Sequence, residues 1–394
     1  MILTDASLQI IPDSRGNNTL QTVFICGDKT ATASVPAGKS TGSREAAILD
    51  PRAAVGKFTS LKGQIAGKEF SSLEEFDNFL ISLDGTANKS NLGGNLILSL
   101  SIAFAKLLAK SKNLQPFGLI GQVAGLKTEK FPRGFYNLIE GGVHAQNSLP
   151  FQEYLLVPEV SSPKESLKLV NDFIKFLGIE VEGRFGSLHQ GDEGGFTVPS
   201  DDPVEGLLIL DKVRELTGQK EDRLSLDVAA SALYRQEAYQ VGPEKLDREQ
   251  FMEMLKNYRS QFNLLSIEDP FEENDWEGFE TITREIGGNT WIVGDDLTTT
   301  NPGQVKIAGE KRAANAMIIK PNQIGTVTET IKAALLAKSL GWKIIVSHRS
   351  GETMDDFIAD LSVGLQVDGL KAGCPLEKER LVKYQRLIEI EDQL

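Results

Sequence analysis

Three short apolar runs in the second half of the chain end in carboxylates: Leu224-Ser225-Leu226-Asp227, Leu265-Ser266-Ile267-Glu268-Asp269 and Ile292-Val293-Gly294-Asp295-Asp296. Two further runs end in cations, Met317-Ile318-Ile319-Lys320 and Ile344-Ile345-Val346-Ser347-His348-Arg349. Taken singly, an acid behind a strand most often caps the next helix, and a lysine there most often snorkels to solvent. Three acids in succession make shared coordination of a hard divalent cation the better reading, because Mg²⁺ favours oxygen ligands. Burial would depress the pKa of Lys320 and make it a base. Gly191-Asp192-Glu193-Gly194-Gly195 sets two acids between glycines, which is either a tight approach to a ligand or an acidic turn. The chemistry that unites these types is metal-assisted proton transfer by an enzyme.

Positioning such tips is a matter of strands. Runs of this length fit fully buried strands, and intervals of roughly 25–40 residues leave room for a helix each time. Repeated strand–helix units give a parallel sheet or a closed barrel. In a (β/α)₈ barrel the strand C-termini share one mouth, so the tips would converge there. Residues 1–126 differ in texture. Two β-rich runs, Thr19–Ile25 and Thr30–Val35, flank a Gly27-Asp28 turn. A helix opens at Ser71-Ser72-Leu73-Glu74-Glu75 with a capping-box pattern and stops at Asp84-Gly85, and a longer one spans about Gly94 to Lys112. This is an α+β domain. The Pro, Gly and Lys between Gln115 and Gly134 mark the joint, and 127–394 is the barrel domain.

A net charge of −13 argues against nucleic acid and against an acidic membrane surface. The two cysteines, Cys26 and Cys374, point to a reducing compartment, and the expectation is cytoplasmic. The start Met1-Ile2-Leu3-Thr4 has no signal pattern. The apolar stretch Leu96–Ala109 reads as too short for a membrane span.

Further motifs stand in order along the chain. They are Asp13-Ser14-Arg15-Gly16-Asn17, Val35-Pro36-Ala37-Gly38-Lys39-Ser40-Thr41-Gly42, Gly141-Gly142-Val143-His144-Ala145 and Gln152-Glu153. After them come Gly191–Phe196, Lys320-Pro321-Asn322-Gln323-Ile324-Gly325-Thr326, Ser347-His348-Arg349-Ser350-Gly351-Glu352-Thr353 and Lys371-Ala372-Gly373-Cys374-Pro375. With the three acidic tips they resemble the enolase family, from Asp13 nearly to the C-terminus. The resemblance implies an N-terminal α+β capping domain on an enolase-type (β/α)₈ barrel that departs from the strict repeat near its start. It implies reversible, Mg²⁺-dependent dehydration of 2-phospho-D-glycerate to phosphoenolpyruvate, with an enediolate intermediate of the kind such sites stabilise. By matching position, Asp227, Glu268 and Asp295 would hold a first Mg²⁺, and Ser40 would join a second that arrives with substrate. Lys320 would be the base at C2. Glu193 with Glu153 would be the acid at the C3 hydroxyl, with Glu193 kept partly protonated by its neighbours. Lys371 would bind the substrate carboxylate, Arg349 and Ser350 the phosphate, and His144, Gln152 and His348 would line the pocket. A homodimer or higher homo-oligomer is implied.

Several positions depart from the family pattern. Lys39 stands in a loop that usually reads Ser-Gly-Ala-Ser-Thr-Gly and would reach the phosphate or, the favoured reading, point to solvent. Glu140 replaces a usual asparagine, Gln9 and Gln21 replace charged residues common at the subunit interface, and Asp227–Glu268 is a shortened lid segment. His189 reads as a strand residue with a hydrogen-bonded partner. The alternatives are a paralogue acting on another phospho- or hydroxy-acid, and a non-catalytic scaffold; the retained ligands and anchors argue against both.

Overall fold

The computed structural model describes residues 1–39, 42–145 and 148–394. Strands β1 (Asp5–Pro12), β2 (Asn18–Cys26) and β3 (Lys29–Ser34) form an antiparallel meander. Gly27, at φ 59°, supplies the left-handed backbone of the β2–β3 turn. Helices α1 (Pro51–Ile65), α2 (Leu73–Asp84), α3 (Gly94–Ser111) and α4 (Pro116–Ala124) complete this cap. Ser72 caps α2 by accepting from Glu75 N–H, while the Glu75 carboxylate returns to Ser71 N–H, one residue earlier than a strict capping box. Gly85, at φ 70°, ends the helix.

At 18 residues and a mean hydropathy of 1.2, α3 has the length and composition of a membrane span, which the shorter sequence reading missed. Its window is 83% buried inside the protein, where Phe104 stacks on Phe76 at 4.1 Å. Pro116 opens α4, since proline at N1 forfeits no helical hydrogen bond. The joint therefore contracts to residues 125–132.

The second unit begins β4 (Arg133–Glu140), β5 (Glu153–Val157), α5 (Pro163–Phe185), the two-residue β6 (Phe196–Thr197), α6 (Val204–Leu216) and β7 (Arg223–Asp227). A small sheet of β8 (Tyr234–Arg235), β9 (Ala238–Val241) and β10 (Glu244–Leu246) leads into α7 (Arg248–Phe262). Regular alternation follows: β11 (Ser266–Glu268), α8 (Trp276–Ile286), β12 (Trp291–Gly294), α9 (Pro302–Lys311) and β13 (Ala316–Ile319). After β13 come the single turn α10 (Pro321–Ile324), α11 (Val327–Ser339), β14 (Lys343–Ser347), α12 (Phe357–Gly364), β15 (Gly369–Lys371) and α13 (Lys378–Glu391).

Eight strands close when β15 pairs with β4, in the order β4-β5-β7-β11-β12-β13-β14-β15. Only β5 is antiparallel to its neighbours, which is the expected departure near the start. Inside the barrel lie Phe135, Leu155, Val157, Leu265, Val293, Ala316, Ile318 and Ile345. Side chains alternate faces along a strand. Two residues on from these inward positions, towards the mouth, stand Glu153, Asp295, Lys320 and Ser347. The reversed direction of β5 is what brings its first residue, Glu153, to the end where the other strands finish.

Candidate active site

Register sets the site. Glu153 pairs with Asp227 across β5–β7, and Asp227 pairs with Glu268 across β7–β11, so three carboxylates stand in a row at the mouth. Like charges side by side destabilise a sheet, and a cation answers them. Lys371, at the end of β15, reaches across with Nζ 3.1 Å from Glu153 Oε2, 2.9 Å from Asp227 Oδ2 and 2.9 Å from Glu268 Oε2. Burial alone would lower the Lys371 pKa, but Asp227, Glu153 and Glu268 overcome it and hold it well above the usual range. Gln152 Nε2 donates to Asp227 Oδ2 at 3.3 Å.

Lys320 Nζ donates to Asp295 Oδ2, and Gln323 donates to Asp295 Oδ1 at 2.8 Å. Here the expectation of a depressed lysine is corrected. Burial does push Lys320 down, but the Asp295 carboxylate beside it prevails and raises it. None of the three acidic tips caps the following helix. Those caps are Asp247, Asp275 and Asn301.

The donor set is all oxygen, as a hard cation requires. Glu268 Oε1 is buried without a hydrogen-bond partner, so a ligand atom is available in the row. The residues fit a divalent ion. A second acid cluster that the sequence reading passed over is Asp269 with Asp295 and Asp296, whose oxygens lie within 4.8 Å of one another. Asp269 accepts from Asp295 N–H and Asp296 N–H, both at 2.9 Å, and so orients that strand end. Burial and its acidic neighbours push Asp296 up to about 7. The adjacent acids in Glu268-Asp269 and Asp295-Asp296 were the available signal.

Facing the row is a second group. His144 Nδ1 lies 3.6 Å from Glu153 Oε1 and 3.5 Å from Glu193 Oε1. His348 Nε2 lies 3.3 Å from Glu193 Oε2, and Asn137 Nδ2 donates to the same oxygen at 3.0 Å. The His348 tautomer follows from its other nitrogen. Arg380, fully buried on α13, donates to His348 Nδ1 at 2.7 Å, so Nε2 carries the hydrogen and faces Glu193. Burial lowers His348 to about 4, which keeps the ring neutral.

The two acids are driven apart. Burial raises Glu153, and the Glu193 charge raises it further. Burial also acts on Glu193, but His348, His144 and Arg380 outweigh it and hold Glu193 well below the usual range. The direction at Glu193 runs against the expectation that it stays partly protonated. Asn137 and Arg380 were missed in the sequence, where Asn137 sits among apolar residues and Arg380 ends the charged run Glu377–Arg380, which looks like a solvated helix face.

Arg349 is forked onto Glu45, with Nη1 to Oε2 at 2.8 Å and Nη2 to Oε1 at 3.3 Å, and also donates to Asn322. A β-carbon on Gly38 would fall 2.0 Å from Arg349 Nη2, so a side chain there would displace the buried guanidinium. Ser350 Oγ accepts from Lys39 N–H at 2.9 Å and from Arg15 Nη1 at 3.3 Å. Lys39 does not turn to solvent alone. Its Nζ pairs with Asp192 Oδ2 at 2.7 Å across the rim. Ser40 lies outside the described residues. His189 is an exposed loop residue, not a strand residue, and it is its carbonyl that accepts from Thr197 N–H. A cleft of about 370 Å³ is lined by Glu153, Asp227, Asp269, Asp295, Glu193, Lys320, Lys371, His144, His348 and the Arg349–Ser350 corner.

Comparison with known proteins gives one family for both units. The description "Enolase, C-terminal TIM barrel domain" matches residues 128–394, and "Enolase, N-terminal domain" matches residues 4–120. The enolase of Pyrococcus furiosus is 40% identical over 403 residues, covering 98% of this chain and 93% of that protein. That of Thermococcus kodakarensis is 38% identical over 411 residues, covering 100% and 95%. The enolase of Solanum lycopersicum is 38% identical over 413 residues, covering 97% and 93%.

Proposed function

The chain belongs to the enolase family and is a phosphopyruvate hydratase, a carbon–oxygen lyase, and from that premise we propose how its residues divide the work. The observation that carries the assignment is the register of Glu153, Asp227 and Glu268 opposite Lys320 and the histidine-flanked Glu193. Lys371 orients the substrate carboxylate so that the C2 proton faces Lys320. Lys320 takes that proton once Asp295 turns its charge elsewhere; burial, Arg349 and Lys371 then all favour the neutral amine. The Glu153–His144–Glu193 group holds one proton and passes it to the C3 oxygen as that oxygen leaves. Arg349 exchanges part of its fork with Glu45 for the phosphate, which guanidinium geometry suits, and Ser350 adds a hydroxyl.

Enolases in general need Mg²⁺, and here Asp227, Glu268 and Asp295 would hold one ion. A second, joined by Ser40, would come with substrate. When bound, the metal would supply positive charge beside the substrate carboxylate. We also propose a homo-oligomer and a cytoplasmic setting; both cysteines being free agrees with a reducing compartment. Gln9 donates to Gln21 within one chain, so a dimer would form without the charged pair common at that edge.

The deciding experiment is an ultraviolet assay for the enol product from 2-phosphoglycerate, with and without Mg²⁺. Turnover that requires Mg²⁺ supports the reading, and no turnover in folded, metal-binding protein would sink it. Light scattering tests the oligomer, with a monomer mass overturning it.

A further inference from the structure

β4 carries an irregularity between Asn137 and Ile139, where its pairing with β5 gains one extra residue. Without it, Asn137 and Glu140 would point to opposite faces of the barrel wall, since they stand three apart. The extra residue puts both on one face. Register agrees: Asn137 stands opposite Leu155 and Glu140 opposite Glu153, two positions of β5 that share the inner face.

Asn137 holds the Glu193 carboxylate, and Glu140 holds the backbone from which that carboxylate springs. The Glu140 carboxylate accepts from Glu193 N–H at 3.2 and 3.1 Å and from Gly195 N–H at 2.6 Å. The loop is shaped to receive it. A β-carbon on Gly191 would fall 2.3 Å from Glu140 Oε2, and one on Gly195 2.9 Å from Oε1. Two of the three glycines in this motif therefore make room for a buried carboxylate. Cys374 N–H holds the Glu193 carbonyl at 2.9 Å, so the Glu193 peptide is gripped at both ends.

We propose that Glu140 is a positioning residue for the acid step: through the 191–195 loop it aims Glu193 at the departing oxygen. Among the described residues, its hydrogen bonds from Glu193 and Gly195 tie it to the 191–195 loop, which carries neither the base nor the substrate anchors. The proposal rests on the acid role given above to Glu193 with Glu153. It predicts a selective defect, because Lys320 and the carboxylate and phosphate anchors sit on other strands.

The experiment compares Glu140→Ala, Glu140→Gln and Glu193→Gln in the full chain with Mg²⁺. Steady-state turnover is measured alongside exchange of the C2 proton of 2-phosphoglycerate into deuterated water. Glu140→Ala is expected to lower kcat by about 10- to 100-fold with KM changed less than about twofold, since a small displacement of a catalytic group costs on that order. Exchange at C2 should persist, raising the ratio of exchange to turnover. Glu140→Gln keeps an acceptor oxygen in place and should recover most of the loss. If Glu140→Ala does not fold, Glu140→Asn, one carbon too short to reach the loop, takes its place against Glu140→Gln. Exchange and turnover falling in parallel, or no rescue by glutamine, overturns the proposal. If Glu193→Gln itself leaves the exchange ratio unchanged, the acid assignment fails instead, and the two failures are told apart.

Discussion

At the scale of single residues, the site is a set of charges that answer one another. Lys320→Ala should lower turnover by roughly a thousandfold while calorimetric Mg²⁺ binding remains; near-normal turnover would remove Lys320 as the base. His348 gives a pH prediction. Its folded pKa, about 4, lies below the ordinary 6.5 of an unfolded histidine. Its contribution is therefore fully present above pH 6.5 and is lost as pH falls towards 4, on the order of 3 kcal/mol at most. The stability gap between wild type and His348→Gln should narrow over that window, and parallel denaturation curves would contradict it. Lys39 and Asp192 are partly exposed, so their pair is worth under about 1 kcal/mol. Lys39→Ala should shift KM modestly at low salt and not at high salt; a shift that salt leaves unchanged would speak against a rim ion pair. Asp227, Glu268, Asp295 and Lys320 were legible because each ends an apolar run, and Glu193 because glycines flank it, whereas Glu153 and Lys371 were reached only through the resemblance. Asn137 and Arg380 were not, since their meaning comes only from what folding sets beside them.

At the scale of elements, strand tips were readable and strand direction was not. The ends of continuous apolar runs locate Asp227, Asp295 and Lys320, but nothing in Glu153–Val157 says that β5 runs backwards. The irregularity in β4 is likewise invisible in Arg133–Glu140, where burial is continuous from Gly134 on and shows no change of face. Proline was misleading at Gln115-Pro116, where it starts a helix instead of a linker. The segment after Asp227 is a small sheet that must hand over to α7, and Asp247 does this with a capping box to Gln250. Asp247→Ala should cost about 1 kcal/mol, seen as a lower melting temperature with KM and kcat unchanged. A change in kcat would mean that this sheet takes part in closure.

At the scale of the molecule, the cap is bound to the barrel by buried polar contacts. Asp77 of α2, fully buried, accepts from Thr328 N–H at 2.9 Å at the start of α11, where the helix dipole favours an anion. Burial lifts it to about 6. Asp77→Ala should cost roughly 1–3 kcal/mol and speed protease cleavage in residues 125–132; an unaltered cleavage rate would show that the cap is held elsewhere. Two units could be told apart in the sequence, but this seam could not, because Asp77 looks like any helix acid.

Ser14 N–H donates to the Glu352 carbonyl, and Ala37 pairs with Gly351 in both directions. The side-chain bond from Ser14 to Ser350 spans 336 positions of chain. Contacts that distant are the slowest to form, because the entropy of closing the chain is lost before they contribute. A refolding solution should therefore regain barrel circular dichroism first and turnover last. The interval between the two signals is the time the first residues take to find the 350s.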